Sequence, residues 1–235
     1  MRLEDEEDET FFTCSCFLDS HRLLAGTRGG AMKLFNISTG NVVKSWQCHD
    51  SELSRIKLMP TTHTRLVTST PIERDEEVST KLWDISDISK MMEPLQVFGS
   101  IYAANFANHD PDQLLGTSFD KAVIFSVETG KIIRTLPDAR GPLQALSIAV
   151  WSPCDDLILK DNTLWDPRAP QLLHKFDKFT NYGSGYFNPH SGTDVIINSE
   201  IWDLRTFKLV HTCPQFMQAQ IQFNRQRQMS KSCKV

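Results

Sequence analysis

The sequence of 235 residues lacks the patterns that mark membrane, secreted and zinc proteins. No apolar run approaches the roughly 20 residues that a membrane-spanning helix needs. The chain begins with acidic residues, where a secretory signal would have basic and then apolar residues. The six cysteines form no Cys-x-x-Cys pair, and the seven histidines have no metal-ligand spacing. We therefore expect a soluble intracellular protein with no membrane partner, no metal and no disulfide framework.

Signatures of catalysis and nucleotide binding are missing as well. The glycine-rich residues 26–30 lack the Gly-Lys-Ser/Thr ending of a P-loop and stand between predicted strands, so they predict a hairpin turn. Gly183-Ser184-Gly185 is not the Gly-x-Ser-x-Gly turn of a hydrolase. No pair of carboxylates stands in a recognisable catalytic setting. We predict no catalytic residue and no cofactor, so an enzyme is not indicated.

The chain has little net charge outside its first ten residues. Residues 1–10 hold six acidic residues and one arginine, which is a net charge of −5. The whole chain has a net charge of −4, so the remaining residues together carry +1. We expect residues 1–10 to be an acidic solvated arm and residues 224–235 a basic tail. The four basic residues of that tail are too few to indicate direct nucleic-acid binding.

A repeated strand end is what the sequence does contain. The pattern is an aliphatic and then an aromatic residue, followed by a short polar one, and its aromatic residues are 48, 42, 40 and 37 residues apart. This spacing is typical of β-propeller blades. The five copies are Leu34-Phe35-Asn36, Leu82-Trp83-Asp84, Ile124-Phe125-Ser126, Leu164-Trp165-Asp166 and Ile201-Trp202-Asp203.

Each repeat is predicted to fold as four short strands. In the first repeat, runs of alternating polarity at residues 11–17, 23–27, 31–37 and 42–47 are separated by Gly, Ser, Thr and Asn turns. No stretch of more than about ten residues has a helical apolar stripe. The sequence thus predicts an all-β protein, a WD-repeat β-propeller over residues 11–223, with five blades and the opening strand of a sixth at residues 219–223.

The most informative motif is Trp-Asp-x-Arg, which occurs twice. It stands at Trp165-Asp166-Pro167-Arg168 and at Trp202-Asp203-Leu204-Arg205, straight after the aliphatic residue of the fourth and fifth strand ends. The arginine places a planar, permanently charged guanidinium group on the turn that follows the strand. Two copies one blade apart indicate a repeat protein that carries a docking device. The tryptophans and aspartates would also stabilise a blade to which nothing docks.

Residues 164–214 resemble the C-terminal propeller of the Vpr-binding protein family, substrate receptors of cullin-4 RING ubiquitin ligases. The likeness rests on the two Trp-Asp-x-Arg blades and on short stretches such as Phe187-Asn188-Pro189 and Glu200-Ile201-Trp202. It extends more loosely to the N-terminal end, where Phe12-Thr13-Cys14 follows the acidic arm. Because the family's propeller has seven blades, the resemblance implies that this chain is part of such a ring.

The resemblance also implies a function. In this family the arginines of Trp-Asp-x-Arg contact the damaged-DNA-binding-protein adaptor that links receptor to cullin, so Arg168 and Arg205 would dock. Trp165, Asp166, Trp202 and Asp203 would hold the strand ends that aim them. The expected partners are this adaptor, the cullin-4 RING ligase behind it and protein substrates for ubiquitination, in the nucleus and also in the cytoplasm. The alternative is a general WD-repeat scaffold that binds peptides or histone tails without recruiting a ligase.

His49 is interpreted separately. It opens the second repeat, where WD repeats often carry a structural histidine that is hydrogen-bonded within the blade. We expect that role for it rather than metal binding.

Overall fold

The computed structural model describes residues 11–71, 79–88, 93–137, 148–169, 171–176 and 185–216, together with residues 221 and 223. Within these residues it has 20 β-strands and one short 3-10 turn, Pro214–Phe216, so the predicted all-β class is confirmed. None of the described residues belongs to a helix with the length and hydropathy to cross a membrane. The predicted acidic arm, the basic tail and most of the predicted sixth-blade strand lie outside the described residues.

The strands form five sheets of four antiparallel strands, each strand beside its neighbour in sequence. This is the arrangement of WD-repeat propeller blades. The chain divides into two compact units, residues 1–104 and 105–235. The first unit contains two of the five sheets. Blade 1 has β1 (Phe12–Phe17), β2 (Arg22–Thr27), β3 (Ala31–Asn36) and β4 (Val42–Gln47), and blade 2 has β5 (Arg55–Leu58), β6 (Arg65–Ser69), β7 (Ser79–Asp84) and β8 (Gln96–Gly99).

The other three sheets belong to the second unit, whose first strand begins at the boundary. Blade 3 has β9 (Ala103–Phe106), β10 (Gln113–Thr117), β11 (Lys121–Ser126) and β12 (Ile132–Pro137). Blade 4 has β13 (Val150–Trp151), β14 (Ile158–Lys160), β15 (Thr163–Trp165) and β16 (Leu172–Lys175). Blade 5 has β17 (Gly185–Phe187), β18 (Asp194–Ile197), β19 (Glu200–Asp203) and β20 (Lys208–Thr212).

The repeated strand end of the sequence is the end of the third strand in every blade. β3, β7, β11 and β19 end at its polar residue, and β15 ends one residue earlier, at Trp165. In blades 1, 3, 4 and 5 the pairing of the third with the fourth strand shifts at the aliphatic–aromatic step. At this step the fourth strand has one extra residue that is left unpaired, a β-bulge. A β-bulge bends its strand and changes the direction of the side chains. The turns that follow these strands therefore start from equivalent backbone geometry.

The hydrophobic cores lie between consecutive blades of a unit. One cluster joins Leu24 and Leu34 of blade 1 to Leu66 and Trp83 of blade 2. In the second unit, one cluster joins blades 3 and 4 and another joins blades 4 and 5. In blade 3 the third strand is almost wholly buried and is a nearly continuous apolar run, whereas its fourth strand has one buried residue, Leu136.

Candidate functional site

The turn between β15 and β16 holds Arg168 against Asp166. One carboxylate oxygen of Asp166 accepts hydrogen bonds from the backbone N–H of Arg168 at 2.8 Å and from its Nε at 3.0 Å. The other oxygen accepts one from Nη2 at 3.2 Å. This two-point pairing of a guanidinium with a carboxylate fixes the plane of the side chain as well as its position.

The turn between β19 and β20 repeats this geometry. Asp203 accepts hydrogen bonds from the backbone N–H of Arg205 at 2.7 Å, from its Nε at 3.3 Å and from its Nη2 at 2.7 Å. The backbone N–H of Thr206 adds a bond to the same carboxylate at 3.3 Å. Both motifs predicted from the sequence therefore form the same local structure in consecutive blades.

The two arginines are exposed although their partners are not. The side chains of Arg168 and Arg205 are 77% and 71% exposed, against 22% and 16% for Asp166 and Asp203. A guanidinium has five N–H donors, and two are used in each pair. Within the described part of the chain, three donors of each arginine thus remain for another molecule, on a group whose orientation is already set.

The pairing keeps both partners charged. The Arg205 guanidinium, helped by the Arg205 backbone N–H, lowers the pKa of Asp203 to about 2. Arg168 lowers the pKa of Asp166 in the same way, with a smaller contribution from Arg134. The pKa of each arginine is raised by its aspartate. The charge of both turns therefore stays constant throughout the physiological pH range.

Other blades use the strand-end residue differently. Asn36 in blade 1 accepts hydrogen bonds from the backbone N–H groups of Ser38 and Thr39. Asp84 in blade 2 accepts one from the backbone of Ser86, and its ion pair is with Arg65 of the neighbouring strand β6, at 2.8 Å. The strand-end residue therefore caps the turn in these blades too, without an arginine two positions later.

The two tryptophans of the motif have unequal roles. Trp165 is buried in the core between blades 3 and 4, and its Nε1 donates a hydrogen bond to Thr163 Oγ1 at 3.1 Å. Trp202 is half-buried at the edge of the next core, packed on Phe176 with ring centroids 5.4 Å apart. Both rings therefore pack against a core; that they hold the strand ends which aim the arginines stays a prediction.

An aromatic contact joins blade 4 to the turn of blade 5. His174 on β16 stacks on Phe207, the last residue of the blade 5 turn, with centroids 4.1 Å apart and ring planes 11° apart. Phe207 has a φ of +53°, and the equivalent position in blade 1 is Gly40 at +70°. A phenylalanine in this conformation is unfavourable alone, so we infer that the stack holds it there. The stack thereby joins the fourth strand of blade 4 to the turn of blade 5 that carries Arg205.

His49 has the structural role predicted for it. It is buried, and its Nε2 shares a hydrogen bond of 2.8 Å with Thr68 Oγ1, which also accepts one from Trp83 Nε1 at 2.8 Å. Burial, with the nearby positive charge of Lys81, lowers the pKa of His49 to about 4. The sequence reading did not identify Thr68, because a threonine inside a strand run carries no signal of its hydrogen-bond partner.

A cavity of about 620 Å³ lies beside Arg168, between blades 3 and 4. The sequence reading missed it, because it is built from five separate segments. Its walls come from the first turn, third strand and fourth strand of blade 3 and from the first turn and Trp-Asp-x-Arg turn of blade 4. They are His109, Asp110, Pro111, Gln113, Ile124, Ile133, Arg134, Cys154, Asp155, Pro167 and Arg168. Among the described residues, no three His, Cys, Asp or Glu side chains are grouped closely enough to hold a metal ion.

The fold and the paired turns define a WD-repeat propeller protein with Trp-Asp-x-Arg turns in consecutive blades. No family model matches the chain. It is 34% identical over 227 residues, 92% of its length, to the DDB1- and CUL4-associated factor homolog 1 of Arabidopsis thaliana. It is 30% identical over 225 residues to the Caenorhabditis elegans protein of that name, and 33% identical over 224 residues to Protein mahjong of Drosophila melanogaster.

The chain belongs to the family of these DDB1- and CUL4-associated factor 1 proteins, the Vpr-binding family. This confirms the family predicted from the sequence. The chain spans 12 to 14% of the length of the curated relatives it matches.

Proposed function

We propose that this chain is the WD-repeat docking module of a substrate receptor for cullin-4 RING ubiquitin ligases. In this proposal Arg168 and Arg205 bind the adaptor DDB1, and the receptor presents protein substrates for ubiquitination without catalysing a step itself. One observation carries the proposal: two consecutive blades expose an arginine that is clamped onto an aspartate in the same way. The names of the relatives, DDB1- and CUL4-associated factors, agree with it.

The chemistry of the turns suits an interface. A guanidinium is less strongly hydrated than an ammonium and costs less to bury against a partner. Its aspartate has already restricted its rotamers, so less conformational entropy is lost on binding. Because the carboxylate uses only two of the five donors, a partner carbonyl or carboxylate can bind the others without breaking the internal pair.

Substitution of both arginines tests the proposal. In a titration of purified DDB1 against the 235-residue chain, we expect Arg168→Ala or Arg205→Ala to weaken binding by roughly 30-fold or more, and the double variant to abolish it. Lysine should not restore binding, because a point charge cannot make the planar two-point pair. Thermal melting should be nearly unchanged, because both side chains are exposed.

A matched control is Arg28→Ala, which removes an exposed arginine from the β2–β3 hairpin of blade 1. It should bind DDB1 like the wild type. A well-folded Arg168→Ala, Arg205→Ala variant with wild-type affinity would refute the receptor proposal. Peptide or histone-tail binding that survives in that variant would instead support the general scaffold.

The proposed role also implies a location. We propose that the protein acts in the nucleus and also in the cytoplasm, where cullin-4 ligases would meet their substrates. Imaging of the tagged protein in cells, with and without Arg168 and Arg205, would test this; exclusion from both compartments would contradict it.

A further inference from the structure

The turn that carries Arg205 differs from the equivalent turns of blades 1 and 3 at one position. In all three turns, a backbone N–H donates a hydrogen bond of 2.8 or 2.9 Å to the carbonyl of the polar residue that ends the third strand. The donor residue is Gly40 in blade 1, Gly130 in blade 3 and Phe207 in blade 5, with φ angles of +70°, +68° and +53°. Glycine adopts a positive φ freely, whereas a residue with a bulky side chain does not. Blade 5 therefore has a phenylalanine where the same turn elsewhere has glycine.

The ring of Phe207 lies against two rings of blade 4. It stacks on His174 with centroids 4.1 Å apart, and it meets Phe176 edge to face with centroids 6.4 Å apart. His174 and Phe176 also contact each other, at 4.8 Å. We call these three residues the aromatic bridge. A glycine could not make this contact, so the aromatic bridge joins the blade 5 turn to blade 4 in a way that the turns of blades 1 and 3 lack.

The tryptophan before this turn also depends on a ring of blade 4. In blades 2 and 4, Nε1 of Trp83 and of Trp165 donates a hydrogen bond to a threonine hydroxyl, at 2.8 and 3.1 Å. Nε1 of Trp202 is buried and, among the residues that the structure describes, has no hydrogen-bond partner. The Trp202 ring packs on Phe176 with centroids 5.4 Å apart. Its position therefore rests on packing against blade 4 and not on a directional bond within blade 5.

The direction of the Arg205 guanidinium depends on two sets of contacts. Asp203 holds it relative to its own turn, through the bonds from Nε and Nη2. The aromatic bridge connects that turn to blade 4, whose Trp-Asp-x-Arg turn carries Arg168. A group that is oriented before binding loses less conformational entropy when a partner binds it. Two sites for one partner also reinforce each other only if their geometry lets both engage at once.

We propose that the aromatic bridge positions Arg205 for docking, because it fixes the blade 5 turn relative to the Trp-Asp-x-Arg turn of blade 4. Its three residues act through Arg205 and do not themselves touch the adaptor. This role accounts for a phenylalanine at a backbone position that favours glycine. The inference rests on the proposed function, since it concerns how the two arginines reach DDB1 together.

Removal of the Phe207 ring tests the inference, in a titration of purified DDB1 against the 235-residue chain. Phe207→Gly keeps a residue that suits the positive φ, so the turn can form as it does in blades 1 and 3. We expect affinity to fall by about tenfold, because the turn is no longer joined to blade 4. In the Arg205→Ala background the same change should alter affinity by less than about twofold, because the group that the ring positions is gone.

A pair of variants at His174 separates positioning from a general loss of packing. His174→Ala removes the stacking partner and should weaken binding like Phe207→Gly, whereas His174→Phe keeps a flat ring and should bind like the wild type. Phe119→Gly is the matched control, since it removes a ring that is 54% exposed in the β10–β11 hairpin of blade 3. It should not change affinity. Thermal melts show whether each variant is folded, and the His174 pair keeps the test valid if Phe207→Gly destabilises blade 5.

The outcomes separate the two proposals. If Phe207→Gly and His174→Ala bind like the wild type while the arginine double variant does not, the positioning inference is wrong and the proposed function stands. If Phe207→Gly weakens binding equally with and without Arg205, or if His174→Phe loses as much affinity as His174→Ala, the rings do not act through Arg205 and the inference is also wrong. If wild-type chain fails to bind DDB1, or if the arginine double variant binds fully, both proposals fail.

Discussion

At the scale of single residues, the aspartate of Trp-Asp-x-Arg has two functions. Asp203 caps the turn through backbone N–H groups and holds the guanidinium of Arg205 with the same carboxylate. The family resemblance implies that Asp holds the strand end that aims the arginine. The structure adds that the carboxylate itself binds the guanidinium and so orients it directly. An exposed pair of this kind adds little to stability, so its value lies in orientation.

A second residue-scale effect concerns His49 and pH. Its pKa is about 4 in the fold against an ordinary 6.5, so between these values the unfolded chain binds a proton that the folded chain does not. The contribution of neutral His49 to stability is therefore complete above the ordinary pKa of 6.5, and it is lost as pH falls towards the folded-state pKa of about 4. We expect a loss of about 2 kcal/mol in the free energy of unfolding between about pH 7.5 and about pH 5.

Urea titrations at these two pH values would measure the slope of the free energy of unfolding with pH, in the wild type and in His49→Gln. The variant should be less stable at neutral pH, because Thr68 loses its partner, but the slope due to this histidine should disappear. His21→Gln, a change at an exposed histidine of blade 1, should keep the wild-type slope. An unchanged slope in His49→Gln would show that another group carries the pH dependence.

At the scale of elements, the hairpins and turns are where the backbone is least tolerant of change. The β2–β3 hairpin of blade 1 ends at Gly30, which has a φ of +79°. Its carbonyl accepts hydrogen bonds from the backbone N–H groups of Cys48 and His49. The chain entering blade 2 is thus bonded to this hairpin, and a Cβ on Gly30 would lie 2.1 Å from the carbonyl oxygen of His49.

We therefore expect Gly30→Ala to lower the free energy of unfolding by more than about 2 kcal/mol, from both the positive φ and the backbone clash. Gly29→Ala is the matched control, since a Cβ there meets no atom within 4 Å. It should change stability by less than about 0.5 kcal/mol. Chemical denaturation of the two variants side by side checks this. Equal stabilities would contradict the strained geometry of the hairpin.

At the scale of the whole molecule, exposed aliphatic residues recur at the start of the fourth strands. Val42 and Val43 begin β4, Ile132 and Ile133 begin β12, and Leu209 and Val210 follow the first residue of β20; all are about half exposed or more. The fourth strand of a blade is its edge, with backbone groups on one side that no strand of the same sheet pairs. Apolar side chains on such edges favour association between chains.

Charge on these edges should lower aggregation without loss of fold. We expect Val43→Lys and Val210→Lys, at residues 59% and 61% exposed, to change the free energy of unfolding by less than about 0.5 kcal/mol. Aggregation followed by light scattering on heating should be slower than in the wild type, because charged edges repel. Val43→Thr keeps strand propensity without charge and should slow it less. A clearly lowered melting temperature in the lysine variants would show that these valines are buried by contacts within the chain.

The sequence by itself was enough to predict the blades. The spacing of the strand ends and the turn residues between alternating runs gave the first-blade strands within about one residue of their observed ends. The prediction succeeds because the repeat spacing and the turn-forming residues are local features of the sequence. They do not depend on how distant parts of the chain pack. The Trp-Asp-x-Arg motifs were found for the same reason. The structural role of His49 was predicted from its position at the start of the second repeat.

Only the tertiary structure decided which side chains meet. The cavity brings together the first turns of two blades, a fourth strand and a Trp-Asp-x-Arg turn, and nothing in the sequence around Arg134 distinguishes it from Lys44, its equivalent in blade 1. The same holds for the Thr68 hydroxyl between His49 and Trp83, and for His174 stacked on Phe207. Contacts of this kind depend on how blades pack across many intervening residues, and burial, charge balance and hydrogen-bond saturation follow from that packing.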